Sequence, residues 1–330
     1  MLEIDGSFGE GGGQILRTSL ALSLITQTPI RIERIRAGRR TPGLARQHVT
    51  SVLAAAEIGN ADVQGAIVGS QELTFLPRAV KGGAYSFDIG TAGSTTLVLQ
   101  TILIPLLLAE EPSIIELEGG THNSGSPSFA FLTRSFLPLL ARMGAHVDAK
   151  LERAGFYPAG GGRIVVNLEP AKLGSLTLLE RGAIIAQRAR AVVANLPIEI
   201  AQRELAVVGW EGEAQSVKSA GPGNVLMLEV ECEHVTEVVT GFGQRGVRAE
   251  QVAATALDEM QRYLNSTGAA GEHLADQLLL PMAVGEGGTF TTLEPSLHTR
   301  TNAEVIRKFG IADVRMEGNR VTVERRPLAG

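Results

Sequence analysis

Short runs of apolar and β-branched residues alternate along the chain with longer stretches of helical periodicity, which predicts a layered α/β fold. The first half shows the succession βαβαββ twice, which indicates an internal repeat. In the first block we predict a helix ending near residue 26, a second helix from about 42 to 58, and strands at residues 2–4, 30–35, 61–64 and 72–77. In the second block we predict helices ending near residues 109 and 143 and strands at residues 84–89, 113–118, 146–152 and 163–168.

A third block begins with a strand at residues 175–180 and is interrupted by about 90 residues. The interruption has its own pattern, with helices at 199–208 and 249–264, a strand at 188–194, and one or two strands across 225–240. The block then resumes with helices at 274–283 and 299–309 and strands at 289–293, 314–317 and 320–324. We therefore predict a large domain of three βαβαββ units, 1–183 plus 272–330, and a smaller α/β domain, 184–271, inserted in the third unit.

Glycine accounts for 39 of the 330 residues, about 12% against an average of ~7%. Several glycines precede helices at corresponding places in the blocks, as in Gly11-Gly-Gly13, Gly90-Thr-Ala-Gly93 and Gly271. Helix N-termini expose free N–H groups that bind anions, so units packed side by side could bring several such ends to one ligand. The alternative is that these glycines only permit tight turns between strands and helices.

The formal net charge of −5 excludes a protein that binds duplex nucleic acid over a broad basic surface, so any nucleic-acid contact must be local. A single cysteine, Cys232, excludes an internal disulfide and a cysteine-rich zinc site and agrees with a cytoplasmic location. We expect no signal peptide and no membrane association, because the chain opens without a basic segment and its most apolar stretch, 97–109, is too short to span a bilayer. We predict that this stretch is a buried helix.

A basic cluster stands out in this acidic chain, in a loop-like setting that favours function over a solvated charged face. Its guanidinium groups suit bidentate phosphate binding, and the cluster comprises Arg34, Arg36, Arg39, Arg40 and Arg46. His298 is predicted at a helix start, where the helix dipole favours a neutral, nucleophilic imidazole. Glu10 and Asp276 could hold a hard cation bridged by phosphates, although isolated acids are weak indicators.

Six segments, in this order and spread over nearly the whole chain, resemble the RNA 3′-terminal phosphate cyclases. They are EGGGQILR (10–17), IRAGR (35–39), GLARQH (43–48), GFYPAGGG (155–162), ADQLLLP (275–281) and PSLH (295–298). Members of that family are built from three βαβαββ units with a smaller domain inserted in the third, which agrees with the block pattern.

The resemblance implies ATP-dependent conversion of an RNA 3′-phosphate into a 2′,3′-cyclic phosphate, through a covalent histidine–AMP intermediate and an adenylated RNA end. It places the adenylated histidine at His298 and the acid that holds a divalent cation, Mg or Mn, at Glu10. Groups that bind phosphate or the RNA end fall on Arg17, Arg36, Arg39 and Gln47. The nucleotide pocket falls on Gln100, Pro127, His273, Leu274, Ala275, Asp276 and Gln277.

Two positions depart from the family pattern. Ala154 stands where arginine or histidine is expected, and His273 stands where an aromatic residue such as tyrosine can lie against the base.

One alternative function is that of a catalytically inactive cyclase-like protein that binds RNA or assists ribosome assembly. The retained His298, Arg17 and Arg39 argue against it. An enolpyruvyl transferase would need about twice as many units, and a nucleotide kinase would need a phosphate-loop motif that this sequence lacks. A homodimer is left open.

Overall fold

The computed structural model describes residues 1–326, so the last four residues of the predicted large domain, 327–330, lie outside it. In this described part the strands form four sheets of four strands each, and helices pack against them, which confirms the α/β fold. None of the helices in residues 1–326 is long and apolar enough to cross a bilayer.

Unit one has the predicted order of elements. These are β1 (Leu2–Asp5), α1 (Gly13–Thr26), β2 (Ile30–Glu33), α2 (Arg46–Ile58), β3 (Asp62–Gln64) and β4 (Leu73–Leu76). The sheet order is β1-β2-β4-β3, in which β1 and β2 are parallel and the other neighbours are antiparallel. Helix α2 begins at Arg46 rather than near residue 42, so the arginine-rich segment before it is a loop.

Unit two repeats this topology with the sheet order β5-β6-β8-β7. Its elements are β5 (Gly83–Asp88), α3 (Thr95–Leu107), β6 (Ser113–Gly119), α4 (Phe129–Phe131), a π-helical turn (Leu132–Phe136), α5 (Leu137–Arg142), β7 (Val147–Arg153) and β8 (Gly162–Leu168). Nearly every side chain of α3 is buried, which confirms the prediction of a buried helix. The π-helical turn was not predicted; such turns often occur at functional sites.

Unit three pairs its strands in the order β9-β14-β16-β15, again with one parallel and two antiparallel neighbours. Its elements are β9 (Leu176–Leu178), α8 (Glu272–Val284), β14 (Gly288–Thr291), α9 (Leu297–Lys308), β15 (Ala312–Glu317) and β16 (Arg320–Arg325). The three units share one large apolar core, so the helices of different units pack on one another.

The segment between β9 and α8 forms its own sheet, ordered β11-β10-β12-β13. It consists of β10 (Ile184–Ala194), α6 (Glu199–Val208), β11 (Glu211–Ser216), β12 (Gly223–Cys232), β13 (Thr236–Phe242) and α7 (Ala249–Asn265). The sequence missed β11 because this edge strand is polar and mostly exposed, so it has no hydrophobic alternation. The predicted insertion, 184–271, encloses all these elements, and its exact boundaries stay a prediction.

Among the contacts that join the inserted segment to the rest of the protein, two involve positions that the sequence analysis singled out. Ala154 and Phe156 of unit two pack in a small apolar cluster with Val192 and Val225 of the insertion, so the departure at Ala154 is a buried packing position. On the other side, the buried Glu237 of β13 accepts a hydrogen bond from the Gly271 N–H (2.9 Å), at the start of α8. The insertion therefore contacts the helix that carries most of the predicted nucleotide-binding residues.

We predict that Glu237 makes stability depend on pH. Burial raises the pKa of its carboxyl from 4.5 to about 8, so between these values the folded protein keeps a proton that the unfolded chain releases. The free energy of unfolding should therefore fall as pH rises across this window, by up to about 1.4 kcal/mol per pH unit. Glu237→Gln keeps a hydrogen-bond acceptor without this titration, and denaturant unfolding of both proteins from pH 5 to 8 measures the difference. Parallel stability profiles would contradict the prediction.

Candidate active site

His298 lies in the first turn of α9, and its ring is held in one orientation. The helix is capped by Ser296, whose hydroxyl accepts a hydrogen bond from Thr299 N–H (3.2 Å). His298 Nδ1 lies 2.8 Å from Gln14 Oε1 at the start of α1. Because a carboxamide oxygen can only accept, Nδ1 carries the proton and donates it, and Nε2 keeps a free lone pair.

Asp276 anchors this arrangement from α8. Gln14 Nε2 donates to Asp276 Oδ1, and Asn302 Nδ2 donates to the same oxygen at 3.1 Å. Gln277 Nε2 donates to Oδ2 at 3.1 Å, so both oxygens of the buried carboxylate accept hydrogen bonds. Asp276, which the sequence offered as a cation ligand together with Glu10, orients Gln14 and through it His298.

The surroundings of His298 keep its ring neutral. Partial burial is the largest influence and lowers the pKa of the imidazole, with the positive charges of Arg39 and Arg17 adding to it and Asp276 opposing it. The sequence predicted a neutral ring from the helix N-terminus; in the structure burial is the main cause. A neutral ring with a free Nε2 has the form required of a nucleophile.

Glu10 faces His298 from the loop that precedes α1. Its backbone N–H donates to Thr301 Oγ1 (3.1 Å), which ties this loop to α9. Its nearly buried carboxylate pairs with Arg39, and Oε1 lies 4.0 Å from His298 Nε2. An imidazole with a free Nε2, a carboxylate and a guanidinium therefore meet at the contact between units one and three.

Glycines at the start of α1 make room for these side chains. Gly11 has a φ of 60°, a conformation that favours glycine. A Cβ atom on Gly12 would collide with the carboxylate of Glu10 and the guanidinium of Arg39. A Cβ atom on Gly13 would collide with His48 Nε2 and with Arg17. The glycine run is thus required for close packing, beyond its role in a turn.

Arg17, which lies beside Gly13, also lines a cleft between α1, α3 and α8. Its Nε donates to Gln100 Oε1 (2.9 Å), and Gln100 Nε2 donates to Gln277 Oε1 (2.8 Å). Burial lowers the pKa of Arg17 to about 10, which leaves the guanidinium charged at neutral pH. The cleft is otherwise mostly apolar. Its polar lining also includes Thr18, Thr96, Asp276 and Asn302, and its apolar lining includes Leu99, Leu103, Pro127, Phe131, Leu132, Phe136, Leu280 and Pro281.

Gln47 and Arg36, two of the predicted phosphate-binding residues, form hydrogen bonds with other parts of units one and two. Gln47 Oε1 accepts a hydrogen bond from Ser94 N–H (3.0 Å), which joins the starts of α2 and α3. Arg36 donates to the carbonyl oxygen of Gly43 (2.6 Å) within its own loop.

Three of the predicted nucleotide-binding residues, His273, Leu274 and Ala275, lie in the first turn of α8. His273 is exposed, with Nε2 3.6 Å from Glu259 Oε1 on α7. Leu274 and Ala275 are buried in the large core rather than in the wall of the cleft. The part of this segment that lines the cleft is Asp276 and Gln277.

The predicted convergence of helix N-termini is present around Gly13. The starts of α1 and α9 meet through Gln14 and His298, while His48 of α2 lies against Gly13. The start of α3 is linked to α2 through Gln47. In residues 1–326, no three histidine, cysteine or acidic side chains form a metal-binding cluster. A cation held at Glu10 would therefore take most of its ligands from phosphates and water, as Mg²⁺ often does.

Comparison with known proteins assigns the family. The sequence model of the RNA 3′-terminal phosphate cyclases matches residues 8–316. A protein of Koribacter versatilis named RNA 3′-terminal phosphate cyclase is 52% identical over 318 residues, 94% of this chain and 90% of the relative. One of the same name from Ralstonia nicotianae is 53% identical over 316 residues, 93% and 91% of the two chains. This chain belongs to the RNA 3′-terminal phosphate cyclase family.

Among solved structures, the enolpyruvyl transferase NikO from Streptomyces tendae aligns with a TM-score of 0.40 and 13% identity. The alignment covers 99% of this chain, which spans about half, 48%, of that protein. We draw no functional argument from it.

Sequence reasoning about this cyclase family member missed several residues that complete the site, namely Gln14, Thr18, His48 and Asn302. Thr18 Oγ1 donates to Asn302 Oδ1 (2.8 Å), which leaves the Asn302 amide nitrogen directed at Asp276. Asn302 follows His298 by four residues and so lies on the same face of α9, a spacing that could have indicated it. Gln14 lies within the EGGGQILR segment, but nothing in the sequence pairs it with a residue 284 positions away.

We predict that Gly13→Ala disrupts the site without unfolding the protein. The new Cβ would displace His48 and Arg17, so we expect the ATP binding that the family resemblance predicts to weaken at least about tenfold, or ~1.4 kcal/mol. Titration calorimetry measures the affinity, and a thermal melt verifies folding. Gly38→Ala is the matched control, because a Cβ there has no neighbour within 4 Å. Unchanged ATP affinity in Gly13→Ala would show that this close packing is dispensable.

Proposed function

We propose that this cyclase family member uses ATP to convert the 3′-phosphate of an RNA end into a 2′,3′-cyclic phosphate, with His298 carrying AMP between the two substrates. The observation that supports it most is the chain of hydrogen bonds from Asp276 through Gln14 to His298 Nδ1. This chain leaves Nε2 unprotonated beside Glu10 and Arg39, where an α-phosphate would meet both a nucleophile and positive charge.

In the first step, His298 Nε2 attacks the α-phosphorus of ATP, and the bond to pyrophosphate breaks. Positive charge develops on the imidazole as the P–N bond forms. Gln14 Oε1, held by Asp276, accepts the Nδ1–H hydrogen bond and stabilises that charge. Arg17 and Arg39 offset the negative charge on the phosphates.

In the second step, an oxygen of the RNA 3′-phosphate attacks the phosphorus of the histidine-bound AMP, and the P–N bond breaks. The neighbouring 2′-hydroxyl of the adenylated end then attacks the 3′-phosphorus, loses its proton and expels AMP. This last attack is intramolecular, so proximity accounts for much of its rate. We assign the RNA phosphate to the basic residues around Gly13, among them Arg39 and Arg36.

We assign the base of the nucleotide to the cleft between α1, α3 and α8, which must widen to admit it because its free volume of about 30 Å³ has room for no more than a few water molecules. Its apolar walls, formed by leucines of α3 and the π-helical turn, suit a flat heterocycle, while Gln100 and Gln277 provide amide groups for hydrogen bonds. We assign the divalent cation to Glu10, whose carboxylate faces His298 Nε2 and pairs with Arg39, so that the cation would share this carboxylate with Arg39. When bound, the cation would neutralise charge on the phosphates.

We predict that the protein labels itself with AMP at His298. Wild type incubated with ATP labelled at the α-phosphate and Mg²⁺ or Mn²⁺ should acquire an acid-labile covalent label. His298→Ala should acquire none, because no other group provides Nε2 at this position. His146→Ala, at an exposed position outside the site, is the control and should label like wild type. Absence of label on wild type, with a 3′-phosphorylated RNA left uncyclised, would favour the inactive RNA-binding alternative.

We predict that a 3′-phosphorylated oligonucleotide with a terminal 2′-deoxyribose is adenylated and then stalls. Without the 2′-hydroxyl the last attack cannot occur, so the adenylated end should accumulate. Gel analysis of the labelled oligonucleotide, with the matching ribose end as the control, separates the two products. Release of AMP at equal rates from both ends would contradict the proposed last step.

A further inference from the structure

His48 is a buried histidine to which the sequence analysis assigned no role, although it ends the segment GLARQH (43–48). It is the third residue of α2, and its Nδ1 accepts a hydrogen bond from the Ala45 N–H (3.1 Å), which caps that helix. A ring nitrogen that accepts an N–H bond carries no proton. In the neutral ring the proton is therefore on Nε2, which is a hydrogen-bond donor.

The Nε2 atom of His48 points at the start of α1. It fills the space that a Cβ of Gly13 would need and lies beside a terminal nitrogen of Arg17. Within residues 1–326, neither this Nε2 nor the terminal nitrogens of Arg17 have a hydrogen-bond partner. In the same described part of the chain, no side chain caps the N-terminus of α1, so its first N–H groups are also free.

These unpartnered donors differ in charge. Burial, together with the positive charges of Arg17 and Arg36, lowers the pKa of His48 to about 3, so the ring adds no charge at neutral pH. Arg17 supplies the charge, while the histidine and the helix N-terminus supply directed N–H groups. Such a combination binds an anion with a defined orientation.

We propose that His48 Nε2–H, the Arg17 guanidinium and the first N–H groups of α1 form a subsite for one phosphate oxygen. The inference rests on the proposed function for the source of this oxygen, which belongs either to the phosphates of ATP or to the RNA 3′-phosphate. His48 has two roles in this proposal, since one ring nitrogen fixes α2 and the other contacts the substrate.

Two substitutions separate these roles. His48→Gln keeps both, because the oxygen and nitrogen of a carboxamide are spaced like the two ring nitrogens, and glutamine at this helix position can accept from the N-cap N–H. His48→Asn can keep the cap, but its shorter side chain does not extend a donor to Gly13. We expect His48→Gln to stay within about threefold of wild type and His48→Asn to lose about 100-fold in the affected step, as expected for loss of one oxyanion donor.

The affected step identifies the source of the phosphate. Single-turnover labelling with α-labelled ATP measures adenylation of the enzyme, and transfer from isolated AMP-labelled enzyme to 3′-phosphorylated RNA measures the second step. A loss in the first step assigns the oxygen to ATP, and a loss only in the second assigns it to RNA. If His48→Asn equals wild type in both steps, or if both variants lose activity in proportion to a lowered melting temperature, the proposal is wrong.

Equilibrium binding keeps this test independent of the proposed function. Inorganic pyrophosphate and inorganic phosphate, titrated calorimetrically, require no catalysis. The proposal expects wild type and His48→Gln to bind at least one of them at least tenfold more tightly than His48→Asn. If wild type takes up no label but this difference is present, the proposed function fails and the anion subsite stands. Equal affinity in all three proteins would overturn the subsite.

Discussion

The site depends on one buried carboxylate. Asp276 lies in α8 among residues of the core, where an unpaired charge would be costly, and amide donors from α1, α8 and α9 satisfy both of its oxygens. The cost of burying this charge therefore favours a single arrangement of the three helices. The same arrangement fixes Gln14 and leaves only one nitrogen of His298 free. The hydrogen bonds that satisfy the Asp276 carboxylate therefore also fix the orientation of the His298 ring.

The repeated fold explains why such a site arises between units. Each unit places the N-terminal ends of its helices at one edge of its sheet, and the shared core brings the units together. Glycines at the start of α1 then allow side chains from α2 and from the arginine-rich loop to lie directly on the backbone. A chain with alanine at Gly12 or Gly13 could keep the fold but could not bring these groups so close together. The high glycine content of the chain is thus explained in part by the close packing that the site requires.

Local patterns were sufficient for most of the fold. The βαβαββ succession was predictable because each element carries its own periodicity, and α3 was recognisable from its uniform apolarity. β11 was missed because an exposed polar edge strand is defined by its pairing with β10 rather than by its own residues. The same distinction between local pattern and long-range pairing applies to the residues of the site. His298, Glu10 and the arginines could be named from motifs, whereas the pairing of Gln14 with His298 and of His48 with Gly13 exists only once distant segments are packed.

The positive charge available to an anion depends on which arginines already pair with carboxylates. Many surface arginines, such as Arg78, Arg188 and Arg203, face carboxylates, so their charges are largely neutralised and contribute little long-range attraction. At the site, Arg17 has an amide partner instead of a carboxylate, and its partial burial shields it from screening by salt. Positive charge without a carboxylate partner is therefore found at the contact between units, where the proposed function assigns the phosphates. This distribution agrees with the proposal that the protein binds one RNA end, since a few placed donors suffice for a terminal phosphate and no basic surface along a polynucleotide is required.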